Sequence, residues 1–195
     1  QTHDQAIDNV RAIAALIKQQ PEDKRPEFEG ALSTAFGCSI EGIITEDQVL
    51  VLAERLVEAG VDELGLSDTV GYANPKAVKS LIRKTRSVAG DGKVKSVHLH
   101  NTQGLGIANA YAAFEEGITT FDSSLGGLGG CPASPGASGN IVTEDLVFMF
   151  ESMGVSTGVD LDKLMATRQF LHEGLPGEPI YGFTPAAGLP KGFAS

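Results

Sequence analysis

Two histidines, His98 and His100, stand two residues apart in Val97-His98-Leu99-His100-Asn101. Side chains alternate faces along a strand, so both imidazoles point one way and Val97 and Leu99 the other. Two histidines converging at a strand end suit a divalent metal; they suit a plain hydrogen-bonded polar pair equally well. A second strand end reads Leu64-Gly65-Leu66-Ser67-Asp68-Thr69-Val70-Gly71. With Leu64 and Leu66 packed on helices, Glu63, Gly65 and Ser67 face the opposite side and Asp68 and Thr69 stand at the rim. Asp-Thr ahead of glycine is also ordinary turn chemistry. The third, Phe121-Asp122-Ser123-Ser124, puts Phe121 outward and Asp122 inward. It runs into Leu125-Gly126-Gly127-Leu128-Gly129-Gly130-Cys131-Pro132 and then Gly136-Ala137-Ser138-Gly139-Asn140. So much glycine permits backbone conformations that other residues resist, and after a barrel strand such a loop can be a lid carrying one reactive side chain. Cys131 is that candidate, a loop thiol that a neighbouring cation would activate; a linker with an incidental cysteine is the plainer alternative. Asn140 reads equally as a helix N-cap. No Gly-Lys-Ser/Thr follows, which argues against a phosphate loop. Cys38 reads as structural, and His3 and His172 as solvated helix residues.

These strand ends need elements to hold them, and the chain alternates helical and strand patterns. Thr2 with Gln5, and Thr45 with Gln48, are capping-box signatures. The first opens a helix with Ile7, Val10, Ile13, Ala14 and Ile17 on one face; the second opens a helix that closes at Gly60. Asn74-Pro75 starts a helix to about Val88. Further helices are predicted at Gly106–Glu116, from Thr143 as cap to Met153, and at Asp160–His172. Strands are predicted at Phe28–Phe36, Val61–Thr69, Lys93–His100 and Ile118–Ser124. Residues 1–172 thus hold about four strands, each followed by a helix, with one helix ahead of the first. The Gly/Pro-rich tail, 173–195, has no clear period. Successive βα units imply an α/β protein with a parallel sheet. A closed (β/α)8 barrel needs eight such units, so the chain reads as a small open sheet or as part of a barrel.

Composition narrows the function classes. The 195 residues carry a net charge of −10, which argues against nucleic-acid and anionic-membrane partners, both of which call for a basic face. No apolar run approaches the roughly 18 residues of a membrane span, and no targeting segment is evident. Two cysteines make no disulfide framework and suggest a reducing compartment. Glycine is the outlier, at 24 residues, or about 12% against a typical ~7%.

Taken together, His98-Leu99-His100-Asn101-Thr102-Gln103-Gly104, Ser67-Asp68-Thr69-Val70-Gly71 and Gly126-Gly127-Leu128-Gly129-Gly130-Cys131-Pro132 resemble the 3-hydroxy-3-methylglutaryl-CoA lyases in order and spacing. The similarity continues through Gly136–Asn140 and Thr143-Glu144-Asp145-Leu146-Val147 and spans roughly residues 4–172. His-x-His and Asp-Thr-x-Gly are shared with isopropylmalate and homocitrate synthases, whereas the Cys-Pro loop is specific to the lyases. The resemblance implies a (β/α)8 TIM barrel, of which this chain covers roughly the last four βα units. It implies metal-assisted cleavage of 3-hydroxy-3-methylglutaryl-CoA, or a close 3-hydroxyacyl-CoA, to acetyl-CoA and acetoacetate, the chemistry of leucine catabolism and ketone-body formation. It assigns His98, His100 and Asn140 to a divalent metal, Mg2+ or Mn2+, and Cys131 and His98 to catalysis. Asp68, Thr69, Gly129 and Gly130 fall to substrate binding, and Glu144 and Asp122 to support. The implied partners are an acyl-CoA substrate and further copies of the chain, as a homodimer or larger, in the cytoplasm or the mitochondrial matrix. The family's tyrosine after Cys-Pro is Ala133 here, and its Asp-Arg-Glu-type motif is missing. The isolated chain is therefore expected to bind metal weakly and turn over little. A condensing synthase on the same scaffold and an inactive half-barrel are the alternatives.

Overall fold

Four parallel strands lie side by side in sequence order in the computed structural model, which describes residues 1–130 and 139–193. They are β1 (Glu29–Leu32), β2 (Glu63–Asp68), β3 (Val94–Leu99) and β4 (Thr120–Asp122). Between them run α2 (Glu46–Ala59), α3 (Pro75–Ala89) and α4 (Gly106–Glu115); α1 (His3–Lys18) precedes β1 and α5 (Thr143–Ser152) follows β4. This is the wall of a (β/α)8 barrel: parallel strands linked in order, each connection made by a helix.

Local chemistry places the helix ends. Both capping boxes form, with Thr2 and Thr45 accepting from the third-residue amides and Gln5 and Gln48 reaching back. Asn74 caps α3 through Ala77, and Gly60 closes α2 with φ +105°. That left-handed conformation costs an L side chain about 1–2 kcal/mol.

One sheet face is packed with large apolar side chains. Leu64, Leu66, Val97 and Leu99 are each at most 1% exposed and join Val78, Ile82 and Ala110 from the helices in one core. The other face carries small or polar residues, namely Ala31, Gly65, Ser67, Ser96, His98 and Asp122, around an open hollow of about 280 Å³. A Cβ at Gly65 would stand 2.5 Å from both Glu29 Oε1 and Ser96 Oγ, so those side chains would have to shift to admit one.

Several elements differ from the sequence reading. The first strand is short: residues 33–36 turn instead of extending, with Thr34 at φ +54°. Two long-range amide bonds hold the turn, Thr34 N–H to Thr69 Oγ1 and Ala35 N–H to the Ser67 carbonyl. Thr143 does not cap α5. It is the first helical residue, Val142 occupies the cap, and the Thr143 hydroxyl bonds Ser123 instead. The last helix is broken at Thr167 into α6 (Leu161–Ala166) and α7 (Arg168–Gly174). On α1, Ile7 and Ala14 are buried but Ile13 is 44% exposed. The tail forms α8 (Phe183–Ala187), fixed where Asp145 accepts the Phe183 and Thr184 amides. No described helix is long and apolar enough to cross a membrane.

Because Leu66 is fully buried, Leu66→Ala should destabilise the chain by about 2–5 kcal/mol. Leu16→Ala, at a largely exposed site, should cost no more than about 0.5 kcal/mol. Urea denaturation of the two variants measures the difference.

Candidate functional site

The four strand ends meet at one rim, and the loops there are tied to one another by buried amide bonds. Asp68 is fully buried on the helix side of β2, away from the hollow. Its carboxylate accepts the Tyr72 N–H at 2.9 Å and the Ala73 N–H at 3.0 Å. Burial pushes its pKa above the ordinary aspartate value, and the backbone amides of Ala73, Tyr72 and Gly71 pull the other way. The Ala73 carbonyl is held in turn by Asn109 Nδ2 at 3.1 Å. Asp68 is thus committed to fixing the β2–α3 loop. Its neighbour Thr69 does line the hollow, and its hydroxyl oxygen receives the Thr34 amide.

His98 and His100 point to the same side of β3, as strand alternation requires. Their Nε2 atoms approach to 3.1 Å, and His98 Nδ1 lies 3.3 Å from Asp122 Oδ2. The Asp122 carboxylate favours a proton on His98 Nδ1 and leaves the Nε2 lone pair facing His100. Burial, aided by the neighbouring His98, lowers the His100 pKa, so its neutral form persists to lower pH than that of an ordinary imidazole.

Asn140 reaches this pair through backbone pairing rather than through its own helix. Residues 139–142 insert between the ends of β3 and β4: Asn101 N–H donates to Gly139, Ile141 N–H to Leu99 and Ser124 N–H to Ile141, all at 3.0–3.1 Å. His100 and Asn140 become antiparallel bridge partners. Ile141 is buried against Gly106. The Asn140 amide nitrogen donates to the carbonyls of Leu128 at 2.8 Å and Gly129 at 3.3 Å. Gly129 allows this approach, since a Cβ there would stand 2.7 Å from Asn140 Nδ2. Gly130 lies opposite Gly139.

Two atoms of this cluster, His100 Nδ1 and Asn140 Oδ1, are buried with no hydrogen-bond partner. Two imidazoles 3.1 Å apart and an amide oxygen on the bridge partner of His100 are donor types that a divalent cation takes, and the buried amide oxygen is costly to leave unpaired. Among the described residues no three His, Cys, Asp or Glu side chains gather at one point. The cluster therefore rests on two imidazoles and one neutral amide.

Glu144 is fully buried and accepts the Gly126 N–H at 3.1 and 3.3 Å, together with the Arg168 guanidinium. It thus reaches the base of the glycine loop, not the Asn140 side chain. Cys131 lies outside the described residues. Arg168 and Asn109 have no motif signal in the sequence; Asn101 stands inside the His-x-His motif, but nothing there shows that its Oδ1 holds the Gly106 amide. Their side-chain partners lie 5 to 36 residues away and become visible only in the fold.

The HMGL-like family pattern matches residues 1–171. The chain is 44% identical over 161 residues to the (R)-citramalyl-CoA lyase of Chloroflexus aurantiacus, covering 83% of this chain and 50% of that protein. It is 43% identical over 149 residues to a hydroxymethylglutaryl-CoA lyase of Bacillus subtilis, covering 76% of this chain and 49% of that protein. The crystal structure of a Bacillus subtilis HMG-CoA lyase superposes with a TM-score of 0.85 at 34% identity, over 96% of this chain and 61% of that one. An HMG-CoA lyase of Acinetobacter baumannii, in complex with coenzyme A and 3-methylmalate, superposes with a TM-score of 0.81 at 40% identity, over 94% and 59%. The chain therefore spans about half the length of the curated relatives it matches.

The lowered His100 pKa has a thermodynamic consequence. The unfolded chain takes up this proton near the ordinary imidazole value of about 6.5, the folded chain only at lower pH. Unfolded molecules bind more protons in that window, so stability should fall as pH drops from about 6.5 toward 5. Urea midpoints at pH 7.5, 6.5 and 5.5 should show the decline, and His100→Asn should flatten it.

Proposed function

We propose that this chain, which belongs to the HMGL-like family, supplies the cation-binding and loop elements of an acyl-CoA lyase that splits a 3-hydroxyacyl thioester. The observation that carries the reading is the approach of His98 and His100 Nε2 to 3.1 Å beside Asn140, the backbone bridge partner of His100, whose Oδ1 is buried without a hydrogen-bond partner. The lyase names of relatives at 43–44% identity support the reaction class.

The chemistry follows from the substrate. Loss of the proton from the 3-hydroxyl drives cleavage of the C2–C3 bond; C3 becomes a ketone and the electron pair passes to an acetyl thioester enolate. That enolate must then gain a proton at carbon. His98, His100 and Asn140 would hold Mg2+ or Mn2+, which when bound supplies Lewis-acid polarisation of the substrate oxygens. Asp122 holds His98 through Nδ1, which leaves the Nε2 lone pair available as a cation donor. Thr69, at the same rim, stands within reach of the acyl group, and Asp68 holds the loop behind it. The backbone of Gly129 and Gly130 approaches the site without side chains in the way, and the loop they begin carries Cys131, the thiol assigned to protonate the enolate.

The two relatives' names, hydroxymethylglutaryl-CoA and (R)-citramalyl-CoA lyase, differ in the acyl group, and the choice between them can be read directly. Protein carrying this chain should release acetyl-CoA from one of the two thioesters when supplied with Mn2+. Cys131→Ser should lower that turnover by at least about 100-fold, the lower end of what a positioned proton donor contributes. Unchanged turnover in Cys131→Ser would remove the thiol from the mechanism. Acetyl-CoA consumption with a 2-oxo acid, in place of release, would identify a condensing synthase. In direct titration, Mn2+ binding should be lost in His98→Ala and in His100→Ala.

A further inference from the structure

The Gly/Pro-rich tail, aperiodic as sequence, is stitched to the base of the glycine loop. Gly126 has both backbone groups engaged: its N–H is accepted by Glu144, and its carbonyl receives the Tyr181 N–H at 2.8 Å. Arg168 closes the ring through a single nitrogen, Nη1, which donates to Glu144 and to the Tyr181 carbonyl at 2.9 Å. The Glu144 side chain is 0% exposed and that of Arg168 13%. Gly126 sits at φ +62°, and a Cβ there would run into Ile180. Asp145, next to Glu144 on α5, holds the far end of the same strap through the Phe183 and Thr184 amides.

The strap bears on Asn140 by a short route. Two residues beyond Gly126, the Leu128 carbonyl receives Ser124 Oγ at 2.5 Å and Asn140 Nδ2 at 2.8 Å. An amide has one nitrogen face and one oxygen face. Fixing Nδ2 on Leu128 and Gly129 leaves Oδ1 as a buried acceptor without a partner, on the residue that bridges His100. A buried ion pair is weak evidence for stability, since apolar replacements often match it. This one joins three segments distant in sequence (126, 144 and 168–181), which points to placement as its purpose.

We propose that Arg168, with the strap at Tyr181, is a positioning device that sets the orientation of the Asn140 amide by anchoring Gly126. The inference rests on the reading of Asn140 as a cation ligand. Glu144 is the shared acceptor, Arg168 the clasp, and the strap the surface against which the loop base is pressed.

The test uses the 195-residue chain with Arg168→Met, Arg168→Lys and the double variant Glu144→Gln/Arg168→Met, which leaves no orphaned buried charge. Two readouts are needed, amide hydrogen exchange and Mn2+ titration followed by electron paramagnetic resonance. In Arg168→Met and in the double variant, exchange at residues 124–130 should rise at least about 10-fold while Leu66 and Val97 stay protected. Mn2+ affinity should fall about 10- to 100-fold, the usual effect of losing an outer partner of a ligand. Arg168→Lys, whose one ammonium can make both contacts, should stay within about 3-fold of the parent on both readouts. Unchanged exchange at 124–130, or an equal rise across β2 and β3, would overturn the proposal. So would loosened exchange with parental Mn2+ affinity. A parent chain that takes up no Mn2+ would defeat the cation reading of Asn140, and the exchange data would then still decide whether the clasp anchors the loop.

Discussion

The insertion of residues 139–142 between the ends of β3 and β4 is the constraint on which the site depends. Parallel strands fan apart at their ends, and three backbone hydrogen bonds fill the gap with returning chain. The returning segment alternates like a strand, with Ile141 turned into the helix-side core and Asn140 set beside His100 as its bridge partner. Without this wedge, Asn140 would be one more polar residue ahead of a helix. With it, Asn140 becomes the backbone neighbour of His100, and the glycine loop is obliged to start and finish at that corner.

The two faces of the sheet divide the work. Leucine, valine and isoleucine on the helix side bury enough apolar surface to hold the layers together, at about 1.5–3 kcal/mol for each fully buried side chain. That leaves the opposite face free of packing duty, and it is lined by glycine, serine and alanine, with His98 and Asp122 at the rim. Asp68 shows how sharp the division is. One residue along from Ser67, it belongs to the helix side, where its carboxylate is consumed by two loop amides.

Much of this was legible in the residues. The capping boxes at Thr2 and Thr45, the Asn74-Pro75 start and the Gly60 stop are local, depend on neighbours within four residues, and form as read. The His-x-His pair and inward Asp122 follow from strand alternation alone. Less was legible where a distant partner decides. The first strand stops at Leu32 because Thr69 and Ser67 capture the next amides, more than thirty residues away. Thr143 gives up its capping role because its hydroxyl meets Ser123. The tail looked formless because its order comes from Gly126, Asp145 and Arg168, and not from any period of its own.

The sequence by itself determined the βα order, the face on which the histidines stand and, through its motifs, the family. Each of these rests on side-chain period or on residue type, which need no distant contact. Tertiary structure alone decided that Asp68 turns away from the hollow, that Asn140 meets His100 across forty residues, and that Glu144 reaches Gly126 and Arg168. The physical reason is common to all three. A buried polar group must find a partner, and which partner it finds depends on which chain segments the packed core brings alongside it.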